Sequence, residues 1–140
     1  MHSEIIIDNQ KEKDLIEDLK KKNDTNSERI KRLLELPDLT KKENSPIKVL
    51  VDQVIKLPRF ADFDLIEFPR IVSVLDNFDV LNTPLDHPSR RKTDTYYVTE
   101  SDVLRTHTTT MWTHYLKDNK VLEKLEKDGF VAALSKGIVF

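Results

Sequence analysis

Two polar segments of the sequence collect the side chains that could bind a ligand or assist a reaction. Residues 86–97 read DHPSRRKTDTYY and bring together an imidazole, two guanidinium groups and carboxylates. Residues 104–110 read LRTHTTT and carry an imidazole, a guanidinium group and four threonine hydroxyls. If the second segment is a strand, His107 and Thr109 share one face, because side chains alternate along a strand. That pair suits hydrogen bonding to a small polar ligand such as an amino acid.

A purely structural interpretation of the same residues stays open. Threonine favours strands in many settings, and charges on a hairpin are usually solvated. On this interpretation residues 95–107 form an ordinary β-hairpin that binds nothing.

Most other kinds of catalytic or metal site lack the residues they need. Cysteine is absent, which excludes disulfides, thiolate metal sites and a cysteine nucleophile. Gly129 and Gly137 are the two glycines, which excludes glycine-rich phosphate loops. The four histidines lack the spacing of metal ligands, and the serines lack the glycines of a nucleophile elbow. We therefore expect neither a bound metal nor a catalytic nucleophile in this chain.

Charge and hydropathy narrow the class of protein further. The net charge of -2 over 140 residues argues against a surface dedicated to nucleic acid. No apolar run approaches the roughly 18 residues of a membrane span. The run Ile5 to Ile7 is too short for the core of a signal peptide. These features, with the lack of cysteine, predict a cytoplasmic protein.

Aromatic residues divide the chain into two parts. All ten lie between Phe60 and Phe140, and a charged segment without aromatics rarely builds its own core. We therefore expect a charged helical arm over residues 1–44 and a globular part over residues 45–140.

Within the arm, apolar spacing predicts two helices. The first covers 14–22, and the second follows Thr25 and Glu28, which have the spacing of a capping box, and closes at Pro37. The helices either pair as an antiparallel hairpin or form a frayed arm, since helices this short are marginal alone.

The clearest helix of the globular part covers 45–57. Ser45 is a good N-cap, Pro46 suits the first helical position, and the apolar residues form a stripe that faces a core or a partner. The other expected elements are a strand over 63–68 ended by Pro69, a loop over 76–93, hairpin strands over 95–98 and 103–107, helices over 111–117 and 121–127, and short strands over 130–134 and 138–140.

Three blocks of the sequence resemble the alpha subunit of phenylalanyl-tRNA synthetase. The blocks are Asn77–Arg90, Asp94–Tyr97 and Leu104–Thr109, and the family carries NFDxLNxPxxHPARxxxDTFY followed by LLRTHTS or LRTHTT. The resemblance covers about residues 45–140, with Ser89 in place of the usual alanine and Tyr96 in place of the usual phenylalanine. It implies an α+β fold, a class II synthetase antiparallel sheet with helices, preceded by a short helical arm.

The resemblance also implies an activity. The family joins phenylalanine to ATP with magnesium, forms the adenylate and transfers the phenylalanyl group to tRNA(Phe). His107 and Thr109 fall where the family places residues near the amino end of phenylalanine. Pro69 falls at the motif 1 proline, and His87, Pro88, Arg90, Asp94 and Arg105 fall at positions that look structural.

The remaining expectations concern what lies outside this stretch. The run Gly137 to Phe140 looks like the family segment just before motif 2, so the ligands of ATP and magnesium are expected beyond residue 140 and the chain alone is expected to be inactive. The family assembles as a heterotetramer with a beta subunit, through the helix at 46–56 and the Pro69 region. The alternative is a truncated, non-catalytic relative that binds tRNA or the beta subunit.

Overall fold

Residues from both sides of position 44 combine in each of the two units of the computed structural model, which describes residues 2–140. Unit 1 contains residues 2–7, 38–68 and 111–138. Unit 2 contains residues 8–37, 69–110 and 139–140. This partition differs from the boundary at residue 44 that composition suggests, because residues of the arm help to form the core of unit 2.

A parallel three-stranded sheet lies at the centre of unit 1. β2 (Asp64–Glu67) lies between β1 (Glu4–Ile6) and β5 (Ala133–Ser135), and both pairings are parallel. The mixture of helices and strands is as expected, but the antiparallel arrangement is wrong for this sheet. Parallel neighbours need long crossover connections, and helices do occupy the segments that join these strands.

A buried carboxylate holds two short helices beside β2. Asp64 accepts a hydrogen bond from the Tyr115 hydroxyl at 2.6 Å and pairs with the Lys124 ammonium at 3.1 Å. Tyr115 ends α5 (Met111–Tyr115), and Lys124 lies in α6 (Asn119–Asp128). Burial and then the Asp64 hydrogen bond raise the pKa of Tyr115, so its hydroxyl remains a donor. A buried charge is tolerated when it is compensated in this way.

Helix α3 (Pro46–Ile55) confirms the helix predicted over 45–57, with proline at its first position. None of its residues is buried, and Ile47, Leu50 and Val54 are 44%, 58% and 40% exposed. The apolar stripe therefore does not face a core formed by residues 2–140. No helix within that range is both long and apolar enough to cross a membrane.

The two helices of the arm are part of the core of unit 2. They are α1 (Gln10–Lys20) and α2 (Thr25–Leu34), and they contact each other. The buried apolar cluster of this unit contains Leu19, Ile30, Ile71, Val98 and Leu104. The structure therefore favours a packed helical pair over a frayed arm, because two members of this cluster come from the helices.

The N-terminus of α2 is capped one residue earlier than the capping-box pattern suggests. The Asp24 carboxylate accepts from the Ser27 backbone N–H at 3.0 Å and from the Ser27 hydroxyl at 2.6 Å. These bonds hold the pKa of Asp24 below its ordinary value. Asp24, and not Thr25, is the N-cap, because aspartate and threonine both cap well and the pattern does not distinguish them.

Two adjacent side chains of α1 bind the strands of unit 2. The Glu12 carboxylate accepts from the backbone N–H groups of Arg70 and Ile71 at 2.5 and 3.2 Å, and it pairs with the Arg70 guanidinium. Lys11 pairs with the buried Asp102 at 2.5 Å. These contacts fix the first turn of α1 against β3 (Ile71–Ser73) and β4 (Asp102–Leu104), which pair with each other in antiparallel fashion.

The hairpin expected over 95–107 is shorter than its threonine content suggests. Residues 95–98 contribute a single bridge, Tyr97 to Val103, and the strand expected over 103–107 ends at Leu104. Residues 108–110 form a 3-10 turn. The prediction that His107 and Thr109 share one strand face is therefore wrong, because threonine's strand preference is overridden where the chain leaves the sheet.

The last expected strand, over 138–140, also does not form. Instead, the Phe140 N–H donates to the Arg105 carbonyl at 3.1 Å, and Phe140 packs against the apolar cluster of unit 2.

We predict that Asp102→Asn destabilises the protein in a pH-dependent manner. Burial raises the pKa of Asp102, but bonds from Lys11, Thr99 and Ser101, with the Lys11 charge, outweigh burial and hold the pKa below its ordinary value. The stabilisation is therefore present above the ordinary pKa of about 4 and is lost as the pH falls through the folded value. At neutral pH the variant should lose about 1–3 kcal/mol of unfolding free energy, measured by urea denaturation.

The control is Glu17→Gln, since Glu17 and Lys20 form an exposed pair on the same helix. That variant should stay within about 0.5 kcal/mol of the parent at every pH. The difference between Asp102→Asn and the parent should shrink as the pH falls through the folded pKa of Asp102, because the Asp102 carboxyl of the parent then becomes protonated and loses its charge. If the difference in unfolding free energy between Asp102→Asn and the parent is the same at every pH, the charge of Asp102 is not the source of the stabilisation.

Candidate functional site

The segment that follows β4 holds the histidine and threonines singled out from the sequence. Its first residue, Arg105, is 3% exposed. The Arg105 N–H donates to the Arg70 carbonyl at 2.8 Å, and the Arg105 carbonyl accepts from Phe140. These backbone bonds carry the chain out of β4 in a fixed direction, so Arg105 contributes a structural anchor beside the site.

Asn77 clamps the next two residues of this segment. It ends α4 (Val74–Asn77), a short helix capped by the Ser73 hydroxyl, and it is fully buried. The Asn77 Oδ1 accepts from the Thr106 N–H at 3.2 Å, and its Nδ2 donates to the Thr106 hydroxyl at 3.1 Å. The Asn77 backbone carbonyl lies 3.2 Å from Nε2 of His107. Asn77 therefore binds Thr106 through the oxygen and nitrogen of its side chain and His107 through its backbone carbonyl.

His107 presents a polar atom that the described residues leave unused. Its Nε2 faces the Asn77 carbonyl, whereas its Nδ1 is buried and has no hydrogen-bond partner within residues 2–140. Nearly all buried polar atoms in native proteins are paired, so a free one points to a missing ligand or water.

Thr109 and Thr110 have different surroundings. Thr110 is fully buried, and its hydroxyl donates to the His107 carbonyl at 3.2 Å. Thr109 is exposed within the 3-10 turn Thr108–Thr110. The structure thus keeps His107 and Thr109 in one short segment, with one side chain partly buried and the other open to solvent, without the common strand face expected for them.

The second polar segment builds a loop around Arg90. The Arg90 guanidinium donates to the carbonyls of Pro84 and Thr83 at 2.8 and 2.5 Å and pairs with Asp79 at 2.5 Å. It also lies 5.0 Å from the centre of the Phe78 ring. One planar side chain thereby closes residues 78–90 into a loop, which suits the rigid fork of arginine.

The other residues of this segment make local contacts. His87 Nδ1 accepts from the Ser89 N–H at 3.2 Å, and Pro88 begins the 3-10 turn that follows. Asp94 is exposed and accepts from the Thr93 hydroxyl, and Pro69 is half-buried in the connection that precedes β3. The structure does not gather these residues around a common ligand.

Sequence reasoning missed the role of Asn77. The residue was visible as the first letter of the block Asn77–Arg90, but its partner Thr106 lies 29 positions away. A buried asparagine at a helix end is a signal only once tertiary contacts are known.

Within the part of the chain that the structure describes, no three His, Asp or Glu side chains converge in a way that could hold a metal ion. The polar groups that this segment of unit 2 leaves open are the buried Nδ1 of His107 and the exposed side chain of Thr109.

Comparisons with known proteins agree with the resemblance read from the motifs. The family model described as tRNA synthetases class II core domain (F) matches residues 31–127. This stretch includes Asn77, His107 and Thr109, so the candidate site lies inside the matched region.

Several curated relatives are named phenylalanine–tRNA ligase alpha subunit. The protein of Mycoplasmoides gallisepticum is 40% identical over 72 residues, which cover 51% of this chain and 21% of the relative. That of Neisseria meningitidis is 37% identical over 75 residues, covering 54% and 23%. That of Malacoplasma penetrans is 31% identical over 96 residues, covering 69% and 26%. The chain thus spans about a quarter of the length of these relatives.

We predict that Arg90→Lys destabilises the protein by about 1–2 kcal/mol, since lysine cannot reproduce the forked contacts to two carbonyls and a carboxylate. The measurement is the urea midpoint followed by circular dichroism. Arg91→Lys is the matched control, because Arg91 is exposed at the neighbouring position and should change the midpoint little. Equal effects of the two substitutions would show that the Arg90 contacts do not close the loop.

Proposed function

The chain belongs to the class II tRNA synthetase core-domain family. We propose that it serves in phenylalanine–tRNA ligation and contributes the part of the phenylalanine site that binds the amino group of the substrate. One observation carries the proposal: the unused, buried Nδ1 of His107 lies two residues from the exposed Thr109 hydroxyl, inside the matched region. Both groups can accept a hydrogen bond, and the α-ammonium of an amino acid is a donor.

In this proposal the residues of unit 2 bind and orient the amino acid. The reaction joins the phenylalanine carboxylate to the α-phosphate of ATP, releases pyrophosphate and then passes the phenylalanyl group to tRNA(Phe). Holding the ammonium leaves the carboxylate free to attack, which is catalysis by orientation. Among the described residues no three acidic or histidine side chains could hold a metal ion, so no magnesium ligand is assigned to them.

The test is the substitution Thr109→Val, which keeps the shape of the side chain and removes the hydroxyl. Losing a hydrogen bond to a charged group costs about 1.5–3 kcal/mol, or about ten- to a hundredfold in affinity. Binding of L-phenylalanine by the 140-residue chain is followed through backbone amide shifts at millimolar ligand. We expect shifts within 105–110 for the parent and a weakened titration for the variant.

Thr108→Val is the matched control, since it removes a neighbouring hydroxyl from the same turn. It should leave the phenylalanine titration unchanged. The proposal is wrong if the parent shows no shifts in residues 105–110 at saturating phenylalanine, or if the two valine variants bind equally. ATP–pyrophosphate exchange, assayed on the same sample, should be absent for the chain alone.

We also propose a subunit-binding role for α3 in unit 1. The apolar side chains along this helix are left uncovered by the residues the structure describes. Exposed apolar patches of this kind mark protein interfaces. The relatives are named alpha subunits, so the proposed partner is the beta subunit of phenylalanine–tRNA ligase.

Leu50→Glu tests this surface. Leu50 is 58% exposed, so the substitution should leave the melting temperature unchanged while abolishing co-elution with a purified beta subunit. Gln53→Glu places the same charge on an exposed polar position of the helix and should not disturb co-elution. Retained assembly by Leu50→Glu would exclude α3 as the contact.

A further inference from the structure

The contact between His107 and residue 77 determines which nitrogen of the imidazole carries a proton. Nε2 of His107 lies 3.2 Å from the Asn77 backbone carbonyl, which has lone pairs and no proton to give. The bond forms only if Nε2 is the donor. In the neutral ring Nδ1 then holds a lone pair, and this is the buried atom without a partner in residues 2–140.

We propose that Asn77 is a positioning residue that holds His107 as its Nε2–H tautomer and so turns Nδ1 into an acceptor for a ligand ammonium group. The identity of the ligand as an amino acid rests on the proposed function. The tautomer and its dependence on Asn77 rest on the geometry alone.

The Asn77 side chain keeps the backbone carbonyl of the same residue in place. Its amide group binds both the backbone N–H and the hydroxyl of Thr106, the residue before the histidine. Asn77 is fully buried, and Thr106 is partly buried. The Asn77 side chain therefore fixes the residue before the histidine, and the Asn77 backbone carbonyl accepts a hydrogen bond from the ring N–H. In this arrangement the partner of one ring nitrogen sets the tautomer of the histidine.

The acceptor character of Nδ1 defines the class of ligand that it recognises. A protonated primary amine can donate to this lone pair, whereas a compound with hydrogen in place of the amine has no donor there. The site should therefore bind L-phenylalanine and discriminate against 3-phenylpropionate, which has the same ring and carboxylate and lacks the ammonium group.

Nitrogen-15 NMR of the imidazole rings tests the tautomer directly in the 140-residue chain without any ligand. At a pH where the ring is neutral, we expect the His107 signals of the Nε2–H tautomer. A ring protonated at Nδ1 in the parent protein would overturn the inference whatever the ligand results.

Two variants test the dependence on the clamp. Thr106→Val deletes the hydroxyl that binds the Asn77 side chain, and Thr106→Ser keeps it. We expect the valine variant to show a mixture of His107 tautomers and about tenfold weaker phenylalanine binding, and the serine variant to restore both. An unchanged tautomer in Thr106→Val would overturn the positioning role.

Thr95→Val is the control for a general loss of stability. Thr95 is 2% exposed in the same unit, and its hydroxyl donates to the Ser89 carbonyl, away from the Asn77 clamp. It should lower the melting temperature without changing the His107 tautomer. If it shifts the tautomer as much as Thr106→Val does, the effect is general and the inference is wrong.

The ligand titrations separate this inference from the proposed function. Tighter binding of L-phenylalanine than of 3-phenylpropionate supports both. A second outcome is that His107 is the Nε2–H tautomer and changes in Thr106→Val, but phenylalanine does not bind. That result supports the positioning of His107 by Asn77 and overturns the proposed function.

Discussion

The Glu12 carboxylate is the contact on which the arrangement of unit 2 depends. It is 7% exposed, and it receives the backbone N–H groups of Arg70 and Ile71 together with the Arg70 guanidinium. The same guanidinium donates to the Leu34 carbonyl at 3.0 Å, at the end of α2. A buried carboxylate is stable only with such complete compensation. One ion pair therefore joins α1, α2 and the start of β3.

The position of the candidate site follows from that junction. β3 begins at Ile71, pairs with β4 through Ile71 and Leu104, and receives the Arg105 N–H on the Arg70 carbonyl. The chain then enters the segment held by Asn77. The arm helices thus support the strands from which the His107 segment departs, although neither helix contributes a residue to the candidate site itself.

Local patterns predicted the helices better than the strands. The proline and apolar spacing of α3 and the helical spacing of α1 and α6 are contained within a few residues, so they can be read directly. β1, β3 and β5 are three residues long and obtain their partners from distant parts of the chain, which no local pattern records. The prediction for residues 106–110 is wrong although its signal is local: four threonines favour a strand, whereas in the structure Thr106 is bonded to Asn77 and residues 108–110 form a 3-10 turn.

The residues of the family-like sequence blocks also have two kinds of role. Arg90, Thr95 and Tyr97 hold the loop together, with the Thr95 and Tyr97 hydroxyls donating to the Ser89 and Arg90 carbonyls at 2.5 and 2.6 Å. His107, in contrast, has a buried Nδ1 atom without a hydrogen-bond partner among the described residues. The resemblance to a family identified the segment. The burial and hydrogen-bond partners of each motif residue then distinguish the residues with a structural role from His107, which has a buried polar atom without a partner.

Native-state amide hydrogen exchange tests most directly whether the arm and the site-bearing strands form one folding unit. We expect the amides of Leu19 and Ile30 to open with the same free energy as those of Val103 and Leu104, since all four side chains are buried in unit 2. Fast exchange of Leu19 and Ile30, with Val103 and Leu104 still protected, would contradict it. That result would describe a solvated arm attached to strands that are stable without it.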